Sequence, residues 1–217
     1  MDYEQARFNM IEQQVRTWDV LDQRVLDLLS TVHREDFVPE AYKKLALADV
    51  NLPLLHGQVT MTPKVEARLL QALNITDSDR ILEVGTGCAY LTALLSRFGK
   101  EVYSIDIFSE FTEAGQKKLA AGNIRNATLI TGDAVNGWPD LAPYDVIVVT
   151  GSVLLEYKKI QQQLGVGGRL FVIIGESPVM DATLITRVGE SEWSGEILFE
   201  TDLPALIGVT NSSKFHF

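Results

Sequence analysis

From position 80 onward, short apolar stretches alternate with stretches of helical periodicity, and this alternation limits the fold more than any other feature. Apolar runs without a break, such as the one at 146–149, are typical of strands that are buried on both faces. The sequence therefore predicts an α/β fold with a doubly wound, mostly parallel sheet. The predicted strands are 80–84, 101–106, 127–131, 145–150 and 169–174, and the predicted helices are 90–98, 109–121 and 154–164.

Both ends of the chain depart from this alternation. Only eight residues, 175–182, separate the fifth strand from a strand-like run at 183–188, whereas a parallel crossover needs a dozen or more. We therefore expect this run and another at 197–202 to form an antiparallel C-terminal strand pair. Before position 63 the apolar residues recur at helical spacing, which predicts a helical N-terminal section.

Capping residues divide the N-terminal section into short helices. A helix is predicted over 3–16, Asp19 is a candidate N-cap for a second helix, and Pro39 fits the first turn of a third. Thr62, followed by a proline, is a candidate N-cap for a further helix. The stretch 52–61 has no clean period and is expected to be a loop or an edge strand.

The composition narrows the class of protein. Apolar residues make up 46% and charged residues 22% of 217, which is typical of a globular domain. We divide this single domain into a helical section ending in a loop, 1–62, and an α/β core, 63–217. No apolar run approaches the ~20 residues of a membrane helix, and the first residues do not resemble a signal peptide. One cysteine and three histidines predict neither a disulfide nor a metal site.

The charge balance bears on partners and location. Nineteen Lys and Arg against 29 Asp and Glu give a net charge of −10, and no basic cluster is present. Proteins that bind duplex nucleic acid neutralise its phosphates with basic stripes. We therefore expect no nucleic-acid partner, no membrane partner and a cytoplasmic location.

A glycine loop is the strongest local motif. The first predicted strand of the core ends in Gly85-Thr86-Gly87, which leads directly into a helix, and glycine lets the backbone approach a ligand closely. Asp106 ends the next strand at the spacing, about 20 positions, of a carboxylate that binds a ribose. Asp133 follows the third strand, where it could accept a hydrogen bond from an adenine amine.

The motif is compatible with three possibilities: the loop binds a dinucleotide, it binds S-adenosylmethionine, or it binds no ligand. A dinucleotide fold would have a third glycine at position 90, where Tyr90 stands. Glu83, two positions before the first glycine, is more typical of S-adenosylmethionine binding. A nicotinamide dehydrogenase and a glycine turn without a ligand remain the alternatives.

Several sequence blocks together resemble one family, the protein-L-isoaspartate O-methyltransferases. The family fold is an S-adenosylmethionine-dependent α/β/α sandwich, and its members methylate isoaspartyl carboxylates as the first step of protein repair. The resemblance thus implies S-adenosylmethionine as cofactor, S-adenosylhomocysteine as product, and a peptide, a protein or a small carboxylate as acceptor. The blocks are MIEQQVR at 10–16, RVL at 24–26, FVPEA at 37–41, HGQ at 56–58, LEVGTG at 82–87, APYD at 142–145 and LGVGG at 164–168.

The resemblance also implies the site residues. His56 and Gly57 fall in the substrate loop, and the stretch from Gln58 to Met61 would cover the methyl donor. The residues implied in cofactor binding are Gln58, Val59, Thr60, Glu83, Gly85, Thr86, Gly87, Cys88, Tyr90, Asp106, Ile107, Asp133 and Ala134.

Two departures from the family pattern bear on activity. Met61 stands at the position of the active-site serine, and a thioether cannot donate a hydrogen bond. The neighbouring hydroxyls of Thr60 and Thr62 are the candidate catalytic substitutes, although strand-like alternation would point them away from the direction of Met61. The family's Thr-Ala-Ala-Pro is replaced by the sequence at 150–153, Thr-Gly-Ser-Val. These departures predict weak or absent isoaspartyl transfer with cofactor binding intact. They leave open a different methyl acceptor, or a non-catalytic relative that binds the cofactor or a partner.

Overall fold

A computed structural model of the protein describes residues 2–209 and contains one seven-stranded sheet. The strands are β1 (Arg80–Val84), β2 (Glu101–Asp106), β3 (Ala127–Thr131), β4 (Tyr144–Val153), β5 (Leu164–Glu176), β6 (Val179–Gly189) and β7 (Glu192–Thr201). They lie in the order β3-β2-β1-β4-β5-β6-β7. Strands β1 to β5 are parallel, and β6 runs antiparallel to both β5 and β7. The predicted antiparallel C-terminal pair is therefore confirmed.

Six α-helices accompany the sheet among the described residues. They are α1 (Tyr3–Met10), α2 (Gln23–Thr31), α3 (Pro63–Leu73), α4 (Tyr90–Phe98), α5 (Ser109–Ala121) and α6 (Tyr157–Ile160). The apolar residues of β1 and β4 are buried on both faces of the sheet, as the unbroken apolar runs predicted. Val146, Val148 and Phe171 face a core that includes residues of α2, α3 and α4, whereas Ile147 and Val149 face the opposite core.

The N-terminal helices are shorter than predicted. The α-helix over 3–16 ends at Met10 and continues as a π-helical turn and then a 3-10 turn. Asp19 is not an N-cap: it adopts a left-handed conformation, and the Asp22 carboxylate caps α2 instead. The reason is that Gln71 Oε1 accepts the backbone N–H groups of Leu21 and Asp22, which holds this connection outside the helix.

Two other boundaries were also wrong. Pro39 precedes a 3-10 segment, Glu40–Leu45, rather than lying in the first turn of an α-helix. The helix predicted over 154–164 shrinks to α6 and one 3-10 turn. The Glu156 carboxylate accepts the backbone N–H groups of Leu154 and Leu155 before α6 begins, and β5 begins at Leu164. An irregularity after Val148 shifts the register of β4 before it pairs again with β5. No helix within residues 2–209 has both the length and the apolar character of a membrane span.

Candidate active site

The candidate site is a cavity at the carboxyl ends of the parallel strands. Gly85 after β1, Asp106 at the end of β2, Asp133 after β3 and Thr150 in β4 all line it. The chain winds outward from β1 to β2 and β3 and then returns to place β4 on the other side of β1. Ligands of doubly wound sheets bind at such a reversal of strand order, outside the carboxyl ends.

The glycine loop is shaped by Asp106 and Thr150. Gly85 has φ +99°, and a Cβ at this position would lie 2.1 Å from Thr150 Oγ1. Asp106 Oδ2 accepts the N–H of Gly87 at 2.9 Å, and Oδ1 accepts the N–H of Phe108 at 3.0 Å. The carboxylate predicted to bind a ribose therefore also fixes the loop, and it lies at the cavity wall with 7% of its surface exposed.

Glu83 lies beneath this loop, fully buried. Its Oε2 accepts hydrogen bonds from Thr92 Oγ1 at 2.5 Å and Ser104 Oγ at 2.6 Å, whereas Oε1 has no partner. Burial raises the pKa of Glu83 to about 8. A buried carboxyl oxygen without a partner favours a ligand that brings one, and the ammonium group of S-adenosylmethionine is a donor that would also stabilise the ionised form of Glu83. The site therefore fits this cofactor.

The remaining loop residues are buried and serve the packing. Thr86 Oγ1 lies 2.6 Å from Ser104 Oγ, and the Tyr90 hydroxyl donates to Val32 O at 3.4 Å. Burial raises the pKa of both the Tyr90 phenol and the Cys88 thiol, so neither is poised to ionise near neutral pH.

The rim of the cavity comes from the connections after β2 and β3. Ile107 and Ala134 line the cavity. Asp133 is exposed, and its Oδ1 accepts the N–H of Val135 at 3.0 Å, so it also forms a local turn. Phe108 and Phe111 lie beside Ile107 and line the same cavity, although no motif indicated them.

The predicted substrate-loop residues, His56 and Gly57, do not line the cavity, whereas the two residues that follow them do. Gln58 and Val59 line it directly. His56 is outside it and stacks on Phe108, with ring centroids 3.9 Å apart, while its Nε2 lies 3.3 Å from Glu110 Oε1. Gly57 is exposed, with φ +68°. The aromatic stack thus attaches this loop to the connection between β2 and α5.

Met61, at the position of the family's serine, and its neighbours Thr60 and Thr62 have different surroundings. Thr60 Oγ1 accepts from Leu52 N at 3.1 Å and Arg34 Nη2 at 3.2 Å. Met61 is 5% exposed and belongs to the apolar core, although it and Thr60 border a small space beneath the glycine loop. Thr62 is at the N-cap of α3, but its hydroxyl makes no capping bond and borders a different cavity.

A buried ion pair supports this stretch, and no motif predicted it. Arg34 Nε lies 3.1 Å from Glu66 Oε2, and Arg34 Nη2 donates to the carbonyl oxygen of Met61 at 2.6 Å. Burial raises the pKa of Glu66 to about 7, although the Arg34 charge lowers it. The pair therefore fixes the backbone at position 61.

Comparisons with known proteins place this chain in a family. The sequence model for protein-L-isoaspartate(D-aspartate) O-methyltransferase matches residues 5–204. Protein-L-isoaspartate O-methyltransferase 2 of Pelobacter propionicus is 35% identical over 206 residues, which is 94% of this chain and 92% of that protein. The protein-L-isoaspartate O-methyltransferase of Myxococcus xanthus is 38% identical over 156 residues, 72% of this chain and 74% of that one.

The chain belongs to the protein-L-isoaspartate O-methyltransferase family. It is an S-adenosylmethionine-dependent methyltransferase, as the glycine loop and the resemblance predicted.

Solved structures share its fold. A protein-L-isoaspartate O-methyltransferase superposes with a TM-score of 0.78 at 24% identity, over 93% of this chain and 66% of the other. A beta-aspartate methyltransferase of Plasmodium falciparum, solved with S-adenosyl-L-homocysteine, gives 0.77 at 18% identity, over 95% and 98%. The predicted methyltransferase sandwich is thus confirmed.

In this family member a second cavity adjoins the first. Val59 and residues 203–205 line both cavities, so the two meet along this shared wall. The segment 203–207 follows β7 and is attached to β4 by two backbone bonds, Ser152 N to Pro204 O at 3.0 Å and Leu206 N to Ser152 O at 2.9 Å. Sequence reasoning missed this segment because it carries no motif.

Proposed function

We propose that this protein transfers the methyl group of S-adenosylmethionine to the free carboxylate of isoaspartyl residues in peptides or proteins. The observation that carries the proposal is the pair of adjoining cavities. One is a cradle for the cofactor at the carboxyl ends of the strands, and the other leaves room for an acceptor beside it. Membership of the family supports the choice of acceptor.

The cofactor roles follow from the chemistry of the cradle. Asp106 is the acceptor for ribose hydroxyls, the free oxygen of Glu83 is the acceptor for the ammonium group, and Asp133 is the acceptor for the adenine amine. The glycines of the loop allow the ligand to approach the backbone. The wall of the cradle is formed by Gln58, Val59, Ile107 and Ala134.

Methyl transfer needs little from the protein besides position. The cofactor supplies a methyl carbon bonded to a sulfonium. An oxygen of the acceptor carboxylate forms a bond to that carbon, the carbon–sulfur bond breaks, and its electron pair stays on sulfur. An exposed carboxyl has a pKa near 4 and is already ionised at neutral pH, so no base is required. The cavity walls orient the acceptor and exclude water.

The proposal also covers the partners, the cellular location and the domain structure of the protein. The net charge of −10 makes a peptide a better partner than nucleic acid. We place the protein in the cytoplasm, as one domain over 1–217. A small carboxylate as acceptor, or a non-catalytic relative, is not favoured by the comparisons.

A transfer assay with labelled S-adenosylmethionine tests the proposal. An isoaspartyl peptide should accept label, and the same peptide with ordinary aspartate should not. S-adenosylhomocysteine should raise the Tm, as any ligand of the native state does. A Tm shift without transfer to the isoaspartyl peptide would refute the acceptor but not the cofactor.

A further inference from the structure

The second cavity contains one buried hydroxyl group without a partner. Ser152, near the end of β4, lines this cavity and is only 1% exposed. Its Oγ forms no hydrogen bond within residues 2–209, whereas its backbone N–H and carbonyl are both bonded to the segment after β7. A buried polar atom without a partner costs free energy, so a native structure that keeps one calls for an explanation.

The strand register shows which way Ser152 points. It pairs with Ile173 of β5, and residues in register across a sheet project to the same face. Ile173 belongs to the same core as Met61, Met180 and Leu203. Ser152 therefore faces the side of the sheet on which Met61 lies.

The other polar groups of the cavity are engaged or carry the wrong charge. Asn51 Nδ2 donates to the carbonyl of Thr60 at 2.7 Å, and Ser177 Oγ donates to Asp202 Oδ2 at 3.1 Å. Glu176 is the other acidic lining residue, and the lining drawn from residues 2–209 contains no lysine, arginine or histidine. A carboxylate entering this cavity thus finds no cation, and it depends on neutral donors.

We propose that the Ser152 hydroxyl donates a hydrogen bond to the acceptor carboxylate and so positions it for methyl transfer. This inference rests on the proposed function. The hydroxyl bonds one carboxylate oxygen, which leaves the other oxygen to attack the methyl carbon, and no proton is transferred. It would supply the donor that Met61 cannot supply, from the same side of the sheet. Ser152 is one of the two central residues of the 150–153 sequence that departs from the family pattern.

The test is the variant Ser152→Ala, measured with the isoaspartyl peptide. A hydrogen bond to a charged group would stabilise the transition state, so its loss should lower kcat/KM by about ten- to 150-fold. The Tm shift with S-adenosylhomocysteine should be unchanged. The Tm of the free variant should equal or exceed that of the natural protein, because the substitution removes a hydroxyl that is buried without a partner.

Ser96→Ala is the matched control. Ser96 is also buried, at 7% exposed, but its hydroxyl donates to Thr92 O at 2.7 Å within α4. This variant also removes a buried hydroxyl, and it should keep its kcat/KM. If Ser152→Ala retains the natural kcat/KM, or if Ser96→Ala lowers kcat/KM as much as Ser152→Ala does, the inference is wrong and the proposed function stands. If the natural protein does not methylate the isoaspartyl peptide at all, both fail together.

Discussion

Asp106 accepts two backbone hydrogen bonds at the wall of the cofactor cavity, and substituting it tests how much these bonds stabilise the protein. Its two carboxylate oxygens each accept one backbone N–H, from Gly87 and Phe108. Asp106→Asn keeps one acceptor and turns an NH₂ group toward the other N–H, whereas Asp106→Ala removes both acceptors. A hydrogen bond to a charged group contributes about 1.5–3 kcal/mol. We therefore expect the free energy of unfolding to fall by about 1.5–3 kcal/mol in the asparagine variant and by about 3–6 kcal/mol in the alanine variant.

Urea unfolding with and without S-adenosylhomocysteine measures both effects. Without the ligand, stability should decrease from the natural protein to Asp106→Asn and then to Asp106→Ala. With the ligand, the added stability should be smaller in both variants, because the loop and the ribose contact are lost together. Asp133→Ala serves as the control for stability without ligand, since this exposed residue accepts a single turn bond and its loss should cost at most about 1 kcal/mol. The reasoning is refuted if Asp106→Ala is no less stable than Asp133→Ala.

Three further variants test other parts of the structure. Glu83→Gln should gain stability relative to the natural protein as the pH rises from about 5 to 8. Burial raises the pKa of Glu83 to about 8 in the folded state. Unfolding therefore releases a proton between about pH 5 and 8, and the natural protein loses stability as the pH rises. Urea unfolding at several pH values in this range measures the difference. Arg34→Met should lower the free energy of unfolding by about 3–5 kcal/mol, because it leaves the buried carboxylate of Glu66 unpaired. In the same urea experiment the control Arg24→Met, which breaks a half-exposed ion pair, should lower it by at most about 1 kcal/mol. Met61→Ser should increase isoaspartyl transfer more in the Ser152→Ala background than in the natural protein. If the two substitutions have additive effects in this double-mutant cycle, positions 61 and 152 do not share the role of hydrogen-bond donor to the acceptor.

Local features of the sequence predicted which residues meet at the centre of the candidate site. The spacing of Gly85 and Asp106 places one residue after β1 and the other at the end of β2, and parallel neighbours bring their carboxyl ends together. The short connection after β5 required an antiparallel strand for the same kind of geometric reason. Each inference needed only a few neighbouring residues.

Most of the parts that were missed depend on contacts between distant residues. Arg34 lies in a charged run, His33-Arg34-Glu35-Asp36, that is typical of an exposed surface, and only its pairing with Glu66 explains its burial. The helix predicted over 154–164 starts later than expected because the Glu156 carboxylate accepts the backbone N–H groups of Leu154 and Leu155, and it ends where β5 begins at Leu164. The segment 203–207 lines the cavity because its backbone is bonded to Ser152, a contact that no local pattern encodes.

The site of methylation on a mixed peptide tests the central claim most directly. The peptide would contain one isoaspartyl residue, one aspartyl residue, one glutamyl residue and a free C-terminal carboxylate. After reaction with S-adenosylmethionine, tandem mass spectrometry locates the added methyl group. We predict a single methyl ester, on the free carboxylate of the isoaspartyl residue. A methyl group on any of the other three carboxylates, or none on the isoaspartyl residue while S-adenosylhomocysteine still binds, would contradict the account.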